Sequence, residues 1–487
     1  MQPSITRDSL THTTSSRHIH TFRLLSVVLT FMILFTASLS STASAASAAN
    51  STKESLPKFI QVEGGYYYSI ALRSDGSVWA WGRNLNGEMG IQETVTIYDS
   101  YPIRLFELTD IRHISTSGEG YHLATKADGT VWTWGASGDS KDGRQHSILP
   151  HQIQGIKHAV STTATSNRGA AVLNDGTVWY WPRAKGTETA PVKPVQVKGL
   201  SEVIQIESST NKMYAVKKDG TVWSWSDAAK PTKIQGLSDI RMISSGHSLL
   251  ALNKKGKVWR VKEQGKPVAV QPKLTIKSIR AYDDYELLLT TSGEVYSNGG
   301  RTPTGKQGKV NGLPKVTAIA AGAFHSQAIA EDGNVWGWGG NMFSSIGTTK
   351  KFKDNMVYSP VPVERTADIY VNGKLINSRY PSFIQTNTVL LPAATVAAAL
   401  GTKLQFNAEY GVAMPYSITY KSRTLSFGYE QDRIVYDGGF IDREKPLVGA
   451  TGTTSIPYQL LEKGLGLHVT WNPKLQQIHI DDKASDK

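Results

Sequence analysis

One short pattern, a turn followed by valine and an aromatic residue, recurs seven times along the chain. The first copy reads Ser74-Asp75-Gly76-Ser77-Val78-Trp79, and the copies occupy 74–79, 127–132, 174–179, 218–223, 254–259, 291–296 and 331–336. Their glycines lie 53, 47, 44, 36, 37 and 40 residues apart. A repeat of this length, built on strands, is typical of a β-propeller or another repeat array. The repeats therefore constrain most of the fold and argue against an enzyme.

Each copy predicts a β-hairpin. Asp-Gly favours a two-residue type I′ turn, in which both central residues need positive φ. Strand-forming residues flank the first turn at 70–72 and 78–81. Trp79 and Trp81 are two residues apart and share one face of their strand. Eleven of the twelve tryptophans lie in the copies. We interpret them as packing between neighbouring blades rather than as a platform for ligands, because large aromatics at a fixed register usually fill a core.

The fuller pattern extends beyond the hairpins. The first copy continues with Gly82-Arg83-Asn84 and Gly87-Glu88-Met89-Gly90, and the last with Gly339-Gly340-Asn341 and Ile346-Gly347. On these residues, 57–366 resemble the RCC1-like repeat family. The resemblance implies a propeller with four-stranded blades, and the seven copies set the number of blades. Strand-like segments at 59–62 and 360–363 predict that the two ends share in closing the ring, which removes exposed sheet edges.

The first 49 residues are predicted to be a secretory signal peptide. Arg17 and Arg23 precede an apolar run from Leu24 to Leu39, and small residues at 43–48 offer cleavage sites. A membrane anchor is the alternative, but the run is shorter than the ~20 residues that a span needs. The chain has no cysteine, which excludes disulfides and thiolate metal sites. We expect a secreted or cell-wall-associated monomer with no membrane span after cleavage.

A second pattern begins near residue 367 and contains its own duplication, offset by 65 residues. Leu391-Pro392 corresponds to Ile456-Pro457, and Leu400-Gly401 corresponds to Leu465-Gly466. Each half is predicted to form a short strand, a helix that ends at glycine, and another strand. Residues 367–481 resemble the copper amine oxidase N-terminal-like domain, which implies an accessory α+β module. The domains expected are therefore 1–49 (signal peptide), 50–366 (propeller) and 367–487 (small α+β domain). The predicted fold class is mainly β.

The formal net charge is +13 and is uneven along the chain. Residues 1–45 and 367–487 contribute +2 and +1, which leaves +10 for 46–366. A basic exported propeller would attract an anionic cell-wall polymer. The alternative is a solvated basic surface without a site, because net charge also serves solubility. No nucleic acid partner is expected for a protein that leaves the cell.

No catalytic motif is evident, so neither a catalytic residue nor a cofactor is predicted. His122, His247 and His325 fall at corresponding repeat positions, and we interpret them as structural rather than as a metal ring. The repeated aspartates are explained as turn residues. Only two histidines, His468 and His479, follow residue 366, so that domain alone cannot supply three histidine ligands.

Five aromatic residues near the repeat boundaries are the candidate binding residues. They are Tyr66, Tyr67, Tyr121, Phe324 and Phe343. Propellers bind partners with the loops at one end of the ring, where aromatic side chains serve as anchors. The alternative is that these rings plug the channel mouth or pack under loops. The sequence thus predicts a non-enzymatic exported binding protein for a cell-wall polymer or an extracellular protein. A secreted inhibitor of a hydrolase such as a β-lactamase, implied by bacterial members of the propeller family, is the alternative.

Overall fold

The computed structural model describes residues 55–482 except 86, 92–97, 138–146, 184–192, 210–211, 227–229, 263–264, 272, 301, 379, 407–413, 431–432, 437–438 and 443–453. The predicted signal peptide, 1–49, lies outside the described residues. Within the part of the chain that is described, no helix is long and apolar enough to cross a membrane.

Seven four-stranded antiparallel sheets follow one another along the chain, each running from its first to its fourth strand. The first four blades are β1(Phe59–Gly64), β2(Tyr68–Arg73), β3(Val78–Arg83), β4(Tyr98–Leu105); β5(Ile111–Thr116), β6(Tyr121–Lys126), β7(Val131–Ala136), β8(Ser147–Gln152); β9(Ala159–Ala164), β10(Arg168–Leu173), β11(Val178–Pro182), β12(Val195–Gln196); and β13(Val203–Ser208), β14(Met213–Lys217), β15(Val222–Trp225), β16(Thr232–Lys233). The last three are β17(Ile240–Ser245), β18(Leu249–Asn253), β19(Val258–Val261), β20(Val268–Val270); β21(Ile276–Tyr282), β22(Tyr285–Thr290), β23(Val295–Gly299), β24(Gly308–Lys309); and β25(Val316–Ala321), β26(His325–Ala330), β27(Val335–Gly340), β28(Met356–Pro362). The predicted seven-bladed propeller is confirmed.

The C-terminal domain is a small α+β unit with the predicted internal duplication. Its elements are β29(Asp368–Val371), β30(Lys374–Leu375), β31(Phe383–Ile384), β32(Val389–Pro392), α1(Ala393–Ala399), β33(Leu404–Phe406), β34(Tyr416–Tyr420), β35(Arg423–Glu430), β36(Arg433–Tyr436), β37(Gly439–Asp442), β38(Ser455–Pro457), α2(Tyr458–Leu465), β39(His468–Asn472) and β40(Gln477–Asp481). The halves meet where β32 pairs antiparallel with β38, with Leu391 opposite Ile456. Gly466 ends α2 in the left-handed conformation (φ 69°), as the sequence pattern predicted.

The hairpin turn between the second and third strands of each blade differs from the predicted type I′ turn. In the first blade Gly76 has a φ of 80°, but no positive φ occurs at Asp75. Gly76 N donates to Arg73 O at 3.0 Å and Arg73 N donates to Ser77 O at 2.9 Å. These bonds define a three-residue loop, Ser74 to Gly76, with glycine forming a G1 bulge. One left-handed residue is enough, so aspartate needs no positive φ.

The repeated aspartate also anchors its hairpin through a chain of hydrogen bonds. In the third blade Thr177 donates to Asp175 Oδ1 from both its backbone N, at 2.8 Å, and its hydroxyl, at 2.7 Å. Trp179 Nε1 then donates to Thr177 Oγ1 at 3.2 Å. The same chain recurs in the first, second and fourth blades. In these four blades the residue after Asp-Gly is a serine or threonine, whose hydroxyl joins the turn to the tryptophan.

Five of the seven hairpins have a second tryptophan, and it packs between neighbouring blades, as predicted. Trp134 of the second blade is buried with Ile70 and Val78 of the first. Trp81 of the first blade is buried with Ile329 and Val335 of the seventh. Seven separate apolar clusters hold the described blade interfaces, one for each neighbouring pair. The core of the propeller is therefore distributed around the ring.

Both predicted end segments contribute to ring closure, because Val62 and Val363 are buried in the apolar cluster between the first and seventh blades. The first and seventh blades each contain four consecutive strands, so no blade is completed by the other end of the chain. The seventh hairpin turn also contributes, with Phe59 N donating to Gly333 O at 3.3 Å. Equivalent bonds join each earlier turn glycine to the next blade, for example from Ala159 N to Gly129 O at 2.9 Å. Closure thus repeats the contact between any two blades.

The C-terminal domain contacts the outer strand of the first blade. The Tyr101 ring lies 4.4 Å from that of Phe383, and Tyr101 belongs to the apolar core of the C-terminal domain. Arg104 Nη1 lies 3.3 Å from Asp368 Oδ2. These contacts place the C-terminal domain against β4, the edge strand of the first blade.

Candidate binding site at the propeller mouth

The loops between the first and second strands of all seven blades meet at one end of the ring. They surround a cavity of about 740 Å³, to which the loop between β27 and β28 also contributes. Below it lies the axial channel, about 540 Å³, lined by the first strands of the blades. We call the upper cavity the mouth. Its size is that of a typical ligand or side-chain pocket.

Four of the five candidate aromatic residues form one cluster at this mouth. The ring of Tyr67 stacks on that of Phe324 with centroids 4.8 Å apart and planes 10° apart. Tyr66 stands across both, at 73° to Phe324 with centroids 5.8 Å apart. Phe343 contacts the far side of Tyr67 at 5.4 Å. Tyr66 and Phe324 are 43% and 42% exposed. These two rings are therefore accessible to a partner, while Tyr67 and Phe343 support them.

Tyr121, the fifth candidate, lies elsewhere. It is only 3% exposed and packs in the cluster between the second and third blades. Its hydroxyl accepts a hydrogen bond from Trp181 Nε1 at 3.1 Å, and the Arg183 guanidinium lies over its ring. The prediction that Tyr121 is a surface anchor is wrong, because it is the first residue of β6, where the side chain turns into the blade interface.

The three histidines predicted to fall at corresponding repeat positions are not equivalent in the structure, because His122 lies opposite Trp134 whereas His325 lies opposite Gly339. His122 is buried, and its Nε2 donates to Glu88 O at 2.6 Å. His325 is buried, and its Nε2 lies 2.9 Å from the hydroxyl oxygen of Ser69. The Ser69 hydroxyl donates its proton to Ser345 O. His325 Nε2 is therefore the donor to Ser69 Oγ. Burial lowers the pKa of His122 to about 3 and that of His325 to about 4. His247 is exposed at the mouth, so the three imidazoles form no ring.

The mouth combines the aromatic rings with hydroxyl groups and carboxylates. Glu119, Asp283 and Asp354 are exposed on its lining, as is His247. No lysine or arginine lines it among the described residues. Tyr282 also lines it, and burial, together with nearby Tyr68, Tyr66 and Glu119, raises the pKa of this phenol, so it stays neutral. Sequence reasoning missed Tyr282 and the carboxylates, because nothing local in their loops marks them.

The channel beneath is polar and largely satisfied by its own contacts. Gln61 Nε2 donates to Ile114 O at 2.7 Å and Ile114 N donates to Gln61 Oε1 at 3.1 Å, so this amide joins two neighbouring first strands. Arg280 Nη2 lies 3.6 Å from Glu63 Oε1. Burial raises the pKa of Glu207 to about 7. These contacts stabilise the first strands and hold the mouth loops in place.

Two protein families match parts of the chain. Residues 59–88 and 316–343 match the Regulator of chromosome condensation (RCC1) repeat. Residues 370–480 match the copper amine oxidase N-terminal domain. In that domain the His479 ring stacks on the Tyr370 ring with centroids 4.6 Å apart. Within the described residues, only His247, Asp283 and Asp284 bring three ligating side chains together, and they lie on the propeller.

Curated relatives share the repeats. The mitochondrial RCC1 domain-containing protein RUG3 of Arabidopsis thaliana is 29% identical over 127 residues, 25% of this chain and 28% of that protein. Protein pim1 of Schizosaccharomyces pombe is 29% identical over 155 residues, 27% of this chain and 29% of that protein. The chain thus spans less than a third of the length of these relatives.

A solved structure with a similar fold is that of Prp20p from Saccharomyces cerevisiae, described with its binding to Gsp1p and histones. It is 20% identical, has a TM-score of 0.48, and the match covers 63% of this chain and 88% of that one. The repeats, the seven sheets and the family matches together identify this chain as an RCC1-type repeat propeller fold followed by a domain that matches the copper amine oxidase N-terminal domain.

Proposed function

We propose that the chain is an exported, non-enzymatic binding protein that holds a protein partner at the propeller mouth. The observation that carries this proposal is the cluster of Tyr66, Tyr67, Phe324 and Phe343 around an open cavity. Exposed aromatics on a rigid base are typical anchors of protein interfaces, because they bury a large area with few rotatable bonds. The relatives' role as binding scaffolds supports the same function.

We also propose a class of partner. One candidate is a secreted hydrolase, which the propeller would inhibit by binding it at the mouth. Export rests on the signal peptide predicted at 1–49, and we place the protein outside the cell or at the wall on that basis.

An anionic wall polymer is the second candidate ligand, favoured by the +10 charge of residues 46–366. The carboxylates that line the mouth would repel a polyanion there, so such a polymer would bind another part of the basic propeller surface. Polymer binding should weaken steeply with salt, because the Debye length falls from ~10 Å at 0.1 M to ~3 Å at 1 M. Co-sedimentation with cell walls, with and without their anionic polymer, measures this; binding that is unchanged at 1 M salt would exclude the polymer.

Affinity capture from the culture medium of the producing organism tests the protein partner. The mature chain should recover one stoichiometric protein, and the double variant Tyr66→Ala/Phe324→Ala should recover at least about tenfold less, since each interface anchor contributes about 2 kcal/mol or more. Phe440→Ala removes an exposed aromatic of the C-terminal domain and serves as the matched control. Equal capture by the double variant and the control would contradict a site at the mouth.

A further inference from the structure

The mouth is an acidic site in a basic protein. Glu119, Asp283 and Asp354 come from the second, sixth and seventh blades and line the same cavity. All three are exposed, and no described lysine or arginine lines that cavity. The propeller region around it carries +10. Since surface charges interact mainly within a Debye length of about 8–10 Å, the carboxylates on the lining contribute directly to the potential at the mouth.

The two accessible rings form a corner that suits a cation. Tyr66 and Phe324 stand at 73° to each other with centroids 5.8 Å apart. Both rings are more than two-fifths exposed, and the quadrupole of an exposed aromatic face attracts positive charge. Tyr67 stacks behind Phe324 and fixes its orientation, so the corner is present before a ligand arrives.

The channel below the mouth does not share the preference of the mouth for a cation. Arg112, Arg241 and Arg280 line it together with Glu63 and Glu207. Arg280 lies near Glu63, and Arg241 Nη2 donates to Lys277 O at 2.6 Å. The described lining of the channel thus carries three arginines against two carboxylates, whereas that of the mouth carries carboxylates and no lysine or arginine. The favourable site for a cation is therefore the mouth.

We propose that the mouth binds a basic side chain, an arginine or lysine presented by the protein partner, between the Tyr66–Phe324 corner and the carboxylates. This inference rests on the proposed function and specifies the chemistry of its partner. It also assigns Glu119, Asp283 and Asp354 to binding, and it places an anionic ligand elsewhere. Arginine fits best, because its planar guanidinium both stacks on rings and bonds carboxylates.

Titration with short peptides tests the proposal. The probes are acetylated, amidated tri-arginine and its neutral isostere tri-citrulline, measured by isothermal titration calorimetry with the full chain at 0.15 M salt. Tri-arginine should bind at least about tenfold more tightly than tri-citrulline. The double variant Glu119→Gln/Asp283→Asn and the variant Tyr66→Ala should each weaken tri-arginine binding about tenfold. Equal affinity for the two peptides would overturn the proposal.

Controls separate this inference from the proposed function. Glu107→Gln removes an exposed carboxylate outside the mouth lining and should leave tri-arginine binding unchanged; an equal loss there would show only general attraction and overturn the assignment. Asparagine tolerates the positive φ of Asp283 (44°), so that variant keeps its loop. If the double variant Tyr66→Ala/Phe324→Ala loses partner capture but tri-arginine does not bind the full chain, the mouth remains the site for the protein partner. The proposal that this partner inserts a basic side chain would then be wrong.

Discussion

The indole of the first tryptophan in a hairpin depends on a hydroxyl two residues earlier. Thr177 connects Trp179 to Asp175, whereas in the seventh blade Asn334 stands at this place and Trp336 Nε1 is buried without a partner. The pattern after Asp-Gly is thus a hydrogen-bonding device as well as a turn.

Two substitutions at this position should change stability in opposite directions. Thr177→Val removes the hydroxyl, which makes two hydrogen bonds, and should lower the free energy of unfolding by about 1–3 kcal/mol, or about 0.5–1.5 kcal/mol net for each bond. Asn334→Thr supplies an acceptor for Trp336 and should raise it by about 0.5–1.5 kcal/mol. Urea unfolding followed by tryptophan fluorescence measures both. If both variants lowered the free energy of unfolding by the same amount, the hydroxyl would not stabilise the indole.

The buried histidines predict a pH dependence of stability. His122 stays neutral when folded until the pH nears 3 and His325 until it nears 4, whereas an unfolded histidine binds a proton near pH 6.5. The unfolded state therefore binds more protons below pH 6.5, and stability falls as the pH falls from 6.5 towards 4, by up to about 1.4 kcal/mol per pH unit for each histidine. Urea unfolding at pH 7.5, 6 and 5 measures the free energy of unfolding at each pH. This free energy should fall less steeply with decreasing pH in His122→Gln than in the unsubstituted protein. Equal slopes would contradict the prediction.

Residue patterns predicted what is local and missed what is brought together by the fold. The hairpins, the blade count and the tryptophan packing follow from short-range spacing. Tyr121 was assigned to the surface because its loop resembles that of Phe324, yet it is the first residue of a strand and turns inward. Glu119 and Asp283 are 164 positions apart in the sequence, so only ring closure reveals their common cavity.

The hairpin turn is also the element that joins one blade to the next. A Cβ at Gly129 would lie 2.5 Å from His158 Cα of the next blade. Glycine is therefore needed for the close approach as well as for its φ of 79°. The predicted type I′ turn was wrong because Asp-Gly also suits a three-residue loop with a G1 bulge, and the sequence does not distinguish them.

A matched pair of glycine variants separates the two requirements. Gly199 has a φ of 85° but nothing within 4 Å of an added Cβ. Gly199→Ala should lower the free energy of unfolding by about 1–2 kcal/mol, from backbone strain alone. Gly129→Ala should lower the free energy of unfolding by substantially more, because the added Cβ would also force the two blades apart. Urea unfolding of both variants measures the difference. Equal decreases in the free energy of unfolding would mean that the close packing of the turn against the next blade does not contribute to stability.

At the scale of the whole molecule, the propeller closes on itself and the C-terminal domain rests on its first blade. We expect the propeller to fold without residues 367–487, because its seven clusters lie within the ring. The fragment 50–366 should melt cooperatively but at a lower temperature than the full chain, since Tyr101 and Arg104 lose Phe383 and Asp368. Differential scanning calorimetry gives the answer, and a broad, non-cooperative transition would show that both domains form one folding unit.

Hydrogen–deuterium exchange on the complex with the captured partner shows which end of the propeller the partner covers. We expect slower exchange in the loops at 65–67, 118–120, 323–324 and 342–344, all at the mouth, and unchanged exchange in the hairpin turns at 127–130, 174–177 and 218–221 at the opposite end. Protection of those turns, with the mouth loops exchanging as in the isolated protein, would contradict binding at the mouth.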